Sequence, residues 1–243
     1  MVLRVLFFVL ALALPSFAFA EPLNVSIGSA NSSLSSNLIQ IIAITTILSL
    51  APSILVMVTS FTRIVVVLSL LRSAIGLQQT PPNSVLISLA LFLTMFIMQP
   101  VFMESYDNAI RPLMQGQIKE EEAFTKGVEP FKVFMLKHTR GKDLALFIKL
   151  NDKTKIEKPE DTPLTTLIPA FMISELKRAF EIGFLIFIPF LIIDMLISSI
   201  LMAMGMMMLP PVVVSLPFKI IFFVLIDGWY MICGSLIQSY GVG

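Results

Sequence analysis

The stretch Met202-Ala203-Met204-Gly205-Met206-Met207-Met208-Leu209-Pro210-Pro211 places five methionines in seven residues, with a glycine among them and two prolines behind. Methionine is unbranched, with flexible torsions and a polarizable sulfur, so a cluster of it makes a surface that deforms around different partners. The glycine and the Pro-Pro pair predict a bend or loop here rather than a regular membrane span. Several copies presenting this loop to a common axis would form a soft, dry plug across a channel. The plainer alternative is that a Met-rich apolar stretch packs against neighbouring helices.

Upstream of this loop, the block from Pro163 to Leu209 is almost wholly apolar. As one straight helix it would run on the order of 70 Å at 1.5 Å per residue, more than twice the bilayer core. Pro169 and Pro189 are expected to divide it, giving helices near Ala170 to Ile188 and Phe190 to Met206. Broken helices are tolerated at membrane depth only where protein covers the freed backbone groups, which points to an oligomer. Further apolar blocks run from Leu38 to Val58, Ile64 to Leu77, Ser84 to Met103 and Val212 to Tyr240. The expected fold class is therefore an all-α membrane-associated protein, built of proline-broken helices and helical hairpins in a ring or helical oligomer.

The whole chain is 56% hydrophobic, with mean hydropathy +0.91, well above an average soluble domain. Met1 to Ala20 carries one early positive residue, Arg4, then an apolar core and a small-x-small ending, Ala18-Phe19-Ala20. This reads as a cleavable secretory signal, in preference to an uncleaved first membrane helix, because the apolar core is short. The mature chain would begin at Glu21, outside the cytoplasm, in a bacterial inner-membrane setting. Its organisation then follows as a first apolar helical region over 21–105, a charged insert over 106–162 and a second apolar region over 163–243.

Charge is sharply segregated. Between Glu104 and Asp161 lie eleven acidic and eleven basic residues, two thirds of the charges in the protein. Apolar positions such as Val133, Phe134, Leu144, Phe147, Ile148 and Leu150 recur within this insert, so it should form short amphipathic helices with a solvated charged face. Arg63 and Arg72, without a nearby acid, mark a cytoplasmic turn under the positive-inside rule, which puts the insert in the periplasm. Lys177 and Arg178 then fall on the outer side, which fits that rule poorly.

Several chemistries are disfavoured. Cys233 is the single cysteine and His138 the single histidine, which leaves no disulfide within the chain, no zinc-ligand set and no triad built on a buried histidine. Ser198 and Ser199 have no histidine base in the apolar blocks, so an intramembrane hydrolase is remote. No glycine-rich nucleotide loop with a lysine is present, and a net charge of +1 gives no nucleic-acid footprint. No catalytic residue, cofactor or metal is expected.

Glu175, Lys177, Arg178, Glu181, Asp194, Lys219 and Asp227 all stand in strongly apolar sequence. A charge at bilayer depth costs several kcal/mol, so each needs a partner, water or a boundary position. Lys177, Arg178 and Glu181 have local pairing within reach: Glu175–Arg178 and Arg178–Glu181 are i, i+3, and Lys177–Glu181 is i, i+4. Lys219 has no acid within four residues. Either it pairs with Glu175 between helices, or between subunits, or it snorkels to an interface. Asp194 and Asp227 also invite a weaker reading as proton carriers.

PAFMISELKRAFEIGF (Pro169 to Phe184), LPPVVVSLPFKIIFFVLIDGW (Leu209 to Trp229) and SFTRIVVVLSLLRSAIGLQQTPPN (Ser60 to Asn83) closely resemble signature stretches of the FliP family of flagellar type III export-gate proteins. The resemblance covers nearly the whole mature chain. The signal and the sizeable insert favour the flagellar branch over the virulence-secretion homologues. It implies a core gate subunit in the inner membrane of the flagellar basal body, about five copies joining FliQ and FliR, with FlhB and FlhA in the wider apparatus. Unfolded flagellar proteins would be the substrates. It implies a methionine gasket at Met206, Met207 and Met208, and helices that sit largely above the membrane plane after assembly. The rival from another class is an ion-coupled small-solute transporter, which would also place charges in broken helices.

Overall fold

The computed structural model describes residues 41–42, 45–46, 49–50, 53–54, 56–150, 161–206 and 208–241. The proposed signal at Met1 to Ala20 lies outside the described residues. The chain divides into two compact units, Met1–Ser49 and Leu50–Gly243. In the first, the described residues 41, 42, 45, 46 and 49 are helical. The second is helical throughout its regular elements, with no strand among the described residues.

Helix α1 is Phe61–Ile75 and α2 is Asn83–Ser105. Arg72 ties the turn between them, its Nη1 donating to Pro81 O at 3.2 Å and to Asn83 Oδ1 at 2.6 Å. A π-turn, Tyr106–Ile110, carries α2 into the short α3, Arg111–Met114. The charged insert folds as α4, Glu120–His138, and α5, Gly141–Leu150. Three glutamates open α4 and Lys137 lies in its last turn, the polarity that favours a helix macrodipole. Two apolar helices follow the insert: α6, Leu164–Ala203, and α7, Pro211–Leu225; the last, α8, is Gly228–Gln238.

The expected division of α6 at Pro169 and Pro189 does not occur. Both prolines lie inside one 40-residue helix, about 60 Å long at 1.5 Å per residue. Proline removes one backbone hydrogen bond and bends a helix, but tertiary packing can hold the helix through it. Here α1, α4, α5 and α7 all pack along α6, and Leu167, Ala170, Phe171, Ala179 and Phe190 are buried on either side of the two prolines. The real break comes later. Between α7 and α8 the path bends by 62° at Asp227, a left-handed residue with φ 50°, so the Val212 to Tyr240 block is two helices.

The main core joins Ile64, Val67 and Leu68 of α1, Ala90 and Met98 of α2, Phe134 and Met135 of α4, and Leu167 and Phe171 of α6. A second cluster collects Leu71, Ala74, Ile75, Phe190 and Phe223. Helices α1 and α6 pack tightly at Gly183, where an added Cβ would collide with Leu70. Asn83–Met114 and Leu164–Ala203 are long and apolar enough to cross a membrane, and the bent pair α7–α8 supplies a third such stretch if it acts as one span.

Candidate functional site

The methionine stretch forms the connection between α6 and α7. Helix α6 stops because Gly205 adopts the left-handed conformation, φ 73°, which glycine enters without a Cβ clash. The Met206 amide donates to Leu201 O at 2.9 Å and the Gly205 amide to Met202 O at 3.1 Å, the paired bonds of a Schellman C-cap. Pro210 and Pro211 then start α7, where a missing amide hydrogen costs nothing because the first turn has no acceptor for it. The loop is thus specified locally at both ends. Met202, Met204, Met206 and Met208 are all exposed, Met208 to 99%. Met207 lies outside the described residues. Unlike Met98 and Met135, which are core residues, the described methionines of this loop do not serve as core.

Below the loop the two arms are joined by charge. Lys219 Nζ of α7 donates to Asp194 Oδ2 of α6 at 2.6 Å and to Ala74 O of α1 at 3.4 Å. Ser215 Oγ, one turn earlier on α7, donates to Asp194 Oδ1 at 2.5 Å. The Lys219 side chain is buried and that of Asp194 is 30% exposed.

Glu175 and Lys219 are not brought together: each has another partner within the chain. Glu175 sits under α1, where Arg63 Nε donates to its Oε2 at 2.9 Å and Arg63 Nη2 to its Oε1. The Tyr240 hydroxyl also donates to Glu175 Oε2. Arg63 Nη1 reaches Ser239 Oγ at 3.0 Å, and the guanidinium lies 3.9 Å from the centre of the Tyr240 ring. Arg63 and Glu175 are 1% and 0% exposed. Bidentate geometry, a phenol on the carboxylate and a hydroxyl on the guanidinium are what a buried ion pair needs to offset its lost hydration. Of the local pairs considered, Lys177–Glu181 forms at 3.0 Å on the exposed face, while Arg178 is half-buried.

A smaller clasp ties the charged insert to α6. Ser174 Oγ donates to Asp143 Oδ2 at 2.7 Å and accepts the Arg140 amide at 3.0 Å, while Arg140 Nε donates to the same carboxylate oxygen at 2.7 Å. Burial pushes the Asp143 carboxyl up, but the hydrogen bonds from Ser174 and Arg140 outweigh it and hold it below its usual range. His138 packs against Phe134 and Tyr240, with ring centroids 4.7 and 5.0 Å away. Burial, helped by the charges of Arg63, Lys137 and Arg178, lowers its pKa to about 4.

The sequence reading took Arg63 only as a cytoplasmic marker and missed its pairing with Glu175; Tyr240 and Asp143 escaped it altogether. Arg63 carried a usable signal, as an ionisable residue inside an apolar run, which by default demands a named partner. Tyr240 and Asp143 carried none. Among the described residues no group of three metal-ligating side chains is found.

The chain is similar to known proteins over most of its length. The FliP family model matches residues 44–236. The flagellar biosynthetic protein FliP of Bacillus subtilis is 56% identical over 224 residues, covering 92% of this chain and 97% of that protein. That of Caulobacter vibrioides is 54% identical over 231 residues, covering 95% and 86%. That of Aquifex aeolicus is 49% identical over 228 residues, covering 92% and 94%.

Proposed function

This chain belongs to the FliP family, and from that premise we propose that it is a core subunit of the flagellar type III export gate. Several copies, with FliQ and FliR, form the channel through which unfolded flagellar subunits cross the inner membrane, alongside FlhB and FlhA. The observation that carries this reading is the exposed methionine loop at the tip of the α6–α7 hairpin. A locally capped loop of thioethers can close on itself or around a passing chain of any sequence, because its side chains rearrange at little cost.

The faces that flank the loop suit assembly. On α6, Ile173, Phe180, Phe184, Ile188, Met195 and Ile200 are exposed, and on α7 so are Val213, Phe218 and Val224. An apolar area of this extent needs lipid or further protein cover. At about 60 Å, α6 exceeds the bilayer core twofold, so part of it lies beyond the hydrocarbon in the assembled state. The periplasmic placement of the insert over 106–162 belongs to this same reading. The transporter alternative gains nothing from the comparisons.

A photo-crosslinker at position 208 tests the proposal in cells carrying a stalled export substrate. A crosslink to the substrate is expected; a crosslinker that captures only lipid or neighbouring gate helices would contradict it.

A further inference from the structure

We propose that Asp194, Ser215 and Lys219 form a register lock that positions the methionine loop. Asp194 lies nine residues before the end of α6 and Lys219 eight residues after the start of α7. The two charges therefore stand at nearly the same depth on the two arms, about 13 Å below the loop at 1.5 Å per residue. The carboxylate is held at two points, with Ser215 on Oδ1 and Lys219 on Oδ2. One contact would fix sliding alone; two, a turn apart on α7, fix rotation as well. Lys219 also reaches Ala74 O in the last turn of α1, where the helix dipole favours a cation.

The surroundings give the pair its authority. Nearer the tip the arms carry exposed apolar residues, among them Met195, Leu196, Ile200, Met202, Val212 and Val213. Side chains so exposed make little contact between the arms, so they do not set the register there. The buried ammonium of Lys219 does. Sliding α7 by one turn, about 5.4 Å, would strand it without a counter-charge, which buried charges tolerate poorly. The lock thus converts a deformable hairpin into one with a single rest position. Asp194 is the more exposed partner of the pair.

The inference rests on the export-channel reading, and its test separates the two. In a Cys233→Ser background, spin labels at positions 200 and 213 report the register of the arms, with labelled chain diluted into unlabelled chain. The chain is compared as wild type, Asp194→Asn, the milder Ser215→Ala, and the exchange Asp194→Lys with Lys219→Asp. Solute leakage is measured in parallel in cells producing the complete gate. Asp194→Asn should broaden the label separation by up to one turn, about 5 Å, and raise leakage. Ser215→Ala should do so less, and the exchange should restore both. Unchanged separations in Asp194→Asn and Ser215→Ala overturn the lock whatever the leakage. Broadened separations without leakage leave the lock standing and count against the channel reading.

Discussion

Arg63 and Glu175, 112 residues apart, meet as a bidentate ion pair from which water is excluded. It joins α1 to α6 at the point where Ser239 and Tyr240, just past α8, return to the bundle. Because neither charge has water to fall back on, loss of one partner strands the other.

Glu175→Gln or Arg63→Met should therefore destabilise the chain by about 3–5 kcal/mol. The double change Arg63→Met, Glu175→Met should recover much of that, since it removes the desolvation cost along with the attraction. Thermal unfolding of the purified chain in detergent checks this. Three equal losses would mean the pair is needed for its shape rather than its charge balance.

Gly183 of α6 packs tightly against α1, where a Cβ would meet Leu70. Gly183→Ala is expected to cost about 1–3 kcal/mol through overpacking. Adding Leu70→Ala should relieve most of that, because the two changes share one space. Additive losses in the unfolding midpoint would show that the helices separate without repacking.

A third prediction concerns pH. His138 is held at about 4 by burial and by Arg63, Lys137 and Arg178, whereas in an unfolded chain it titrates near 6.5. Between those values the unfolded state binds the extra proton, so folding stability is complete above about pH 6.5 and falls as pH drops towards 4. The loss from this one group is at most about 3 kcal/mol. His138→Gln should flatten the pH dependence of the unfolding midpoint in that window. An unchanged slope would assign the acid sensitivity to carboxylates instead.

How much of this was legible in the sequence depends on the range of the interactions. The methionine loop was readable because its determinants, Gly205 and Pro210-Pro211, are neighbours in the chain. The helical insert was readable from its periodic apolar residues. Pro169 and Pro189 misled because their effect is local while the packing that carries α6 through them comes from α1, α4, α5 and α7. The partners of Glu175 and Lys219 were beyond reach for the same reason. Each had several chemically equivalent candidates, and only the fold selects Arg63 for one and Asp194 for the other.

The central claim, that the methionine loop seals a protein-conducting channel, is tested most directly by ion conductance and small-solute leakage in cells producing the complete gate. Met206, Met207 and Met208 are replaced together by alanine, and the abundance of the assembled complex serves as the control. The described loop methionines are exposed and belong to neither core, so assembly should persist while the smaller side chains leave a leak; single replacements should leak less, because neighbouring thioethers can fill one gap. Conductance in the triple variant as low as in the parent, at normal abundance, would contradict the account.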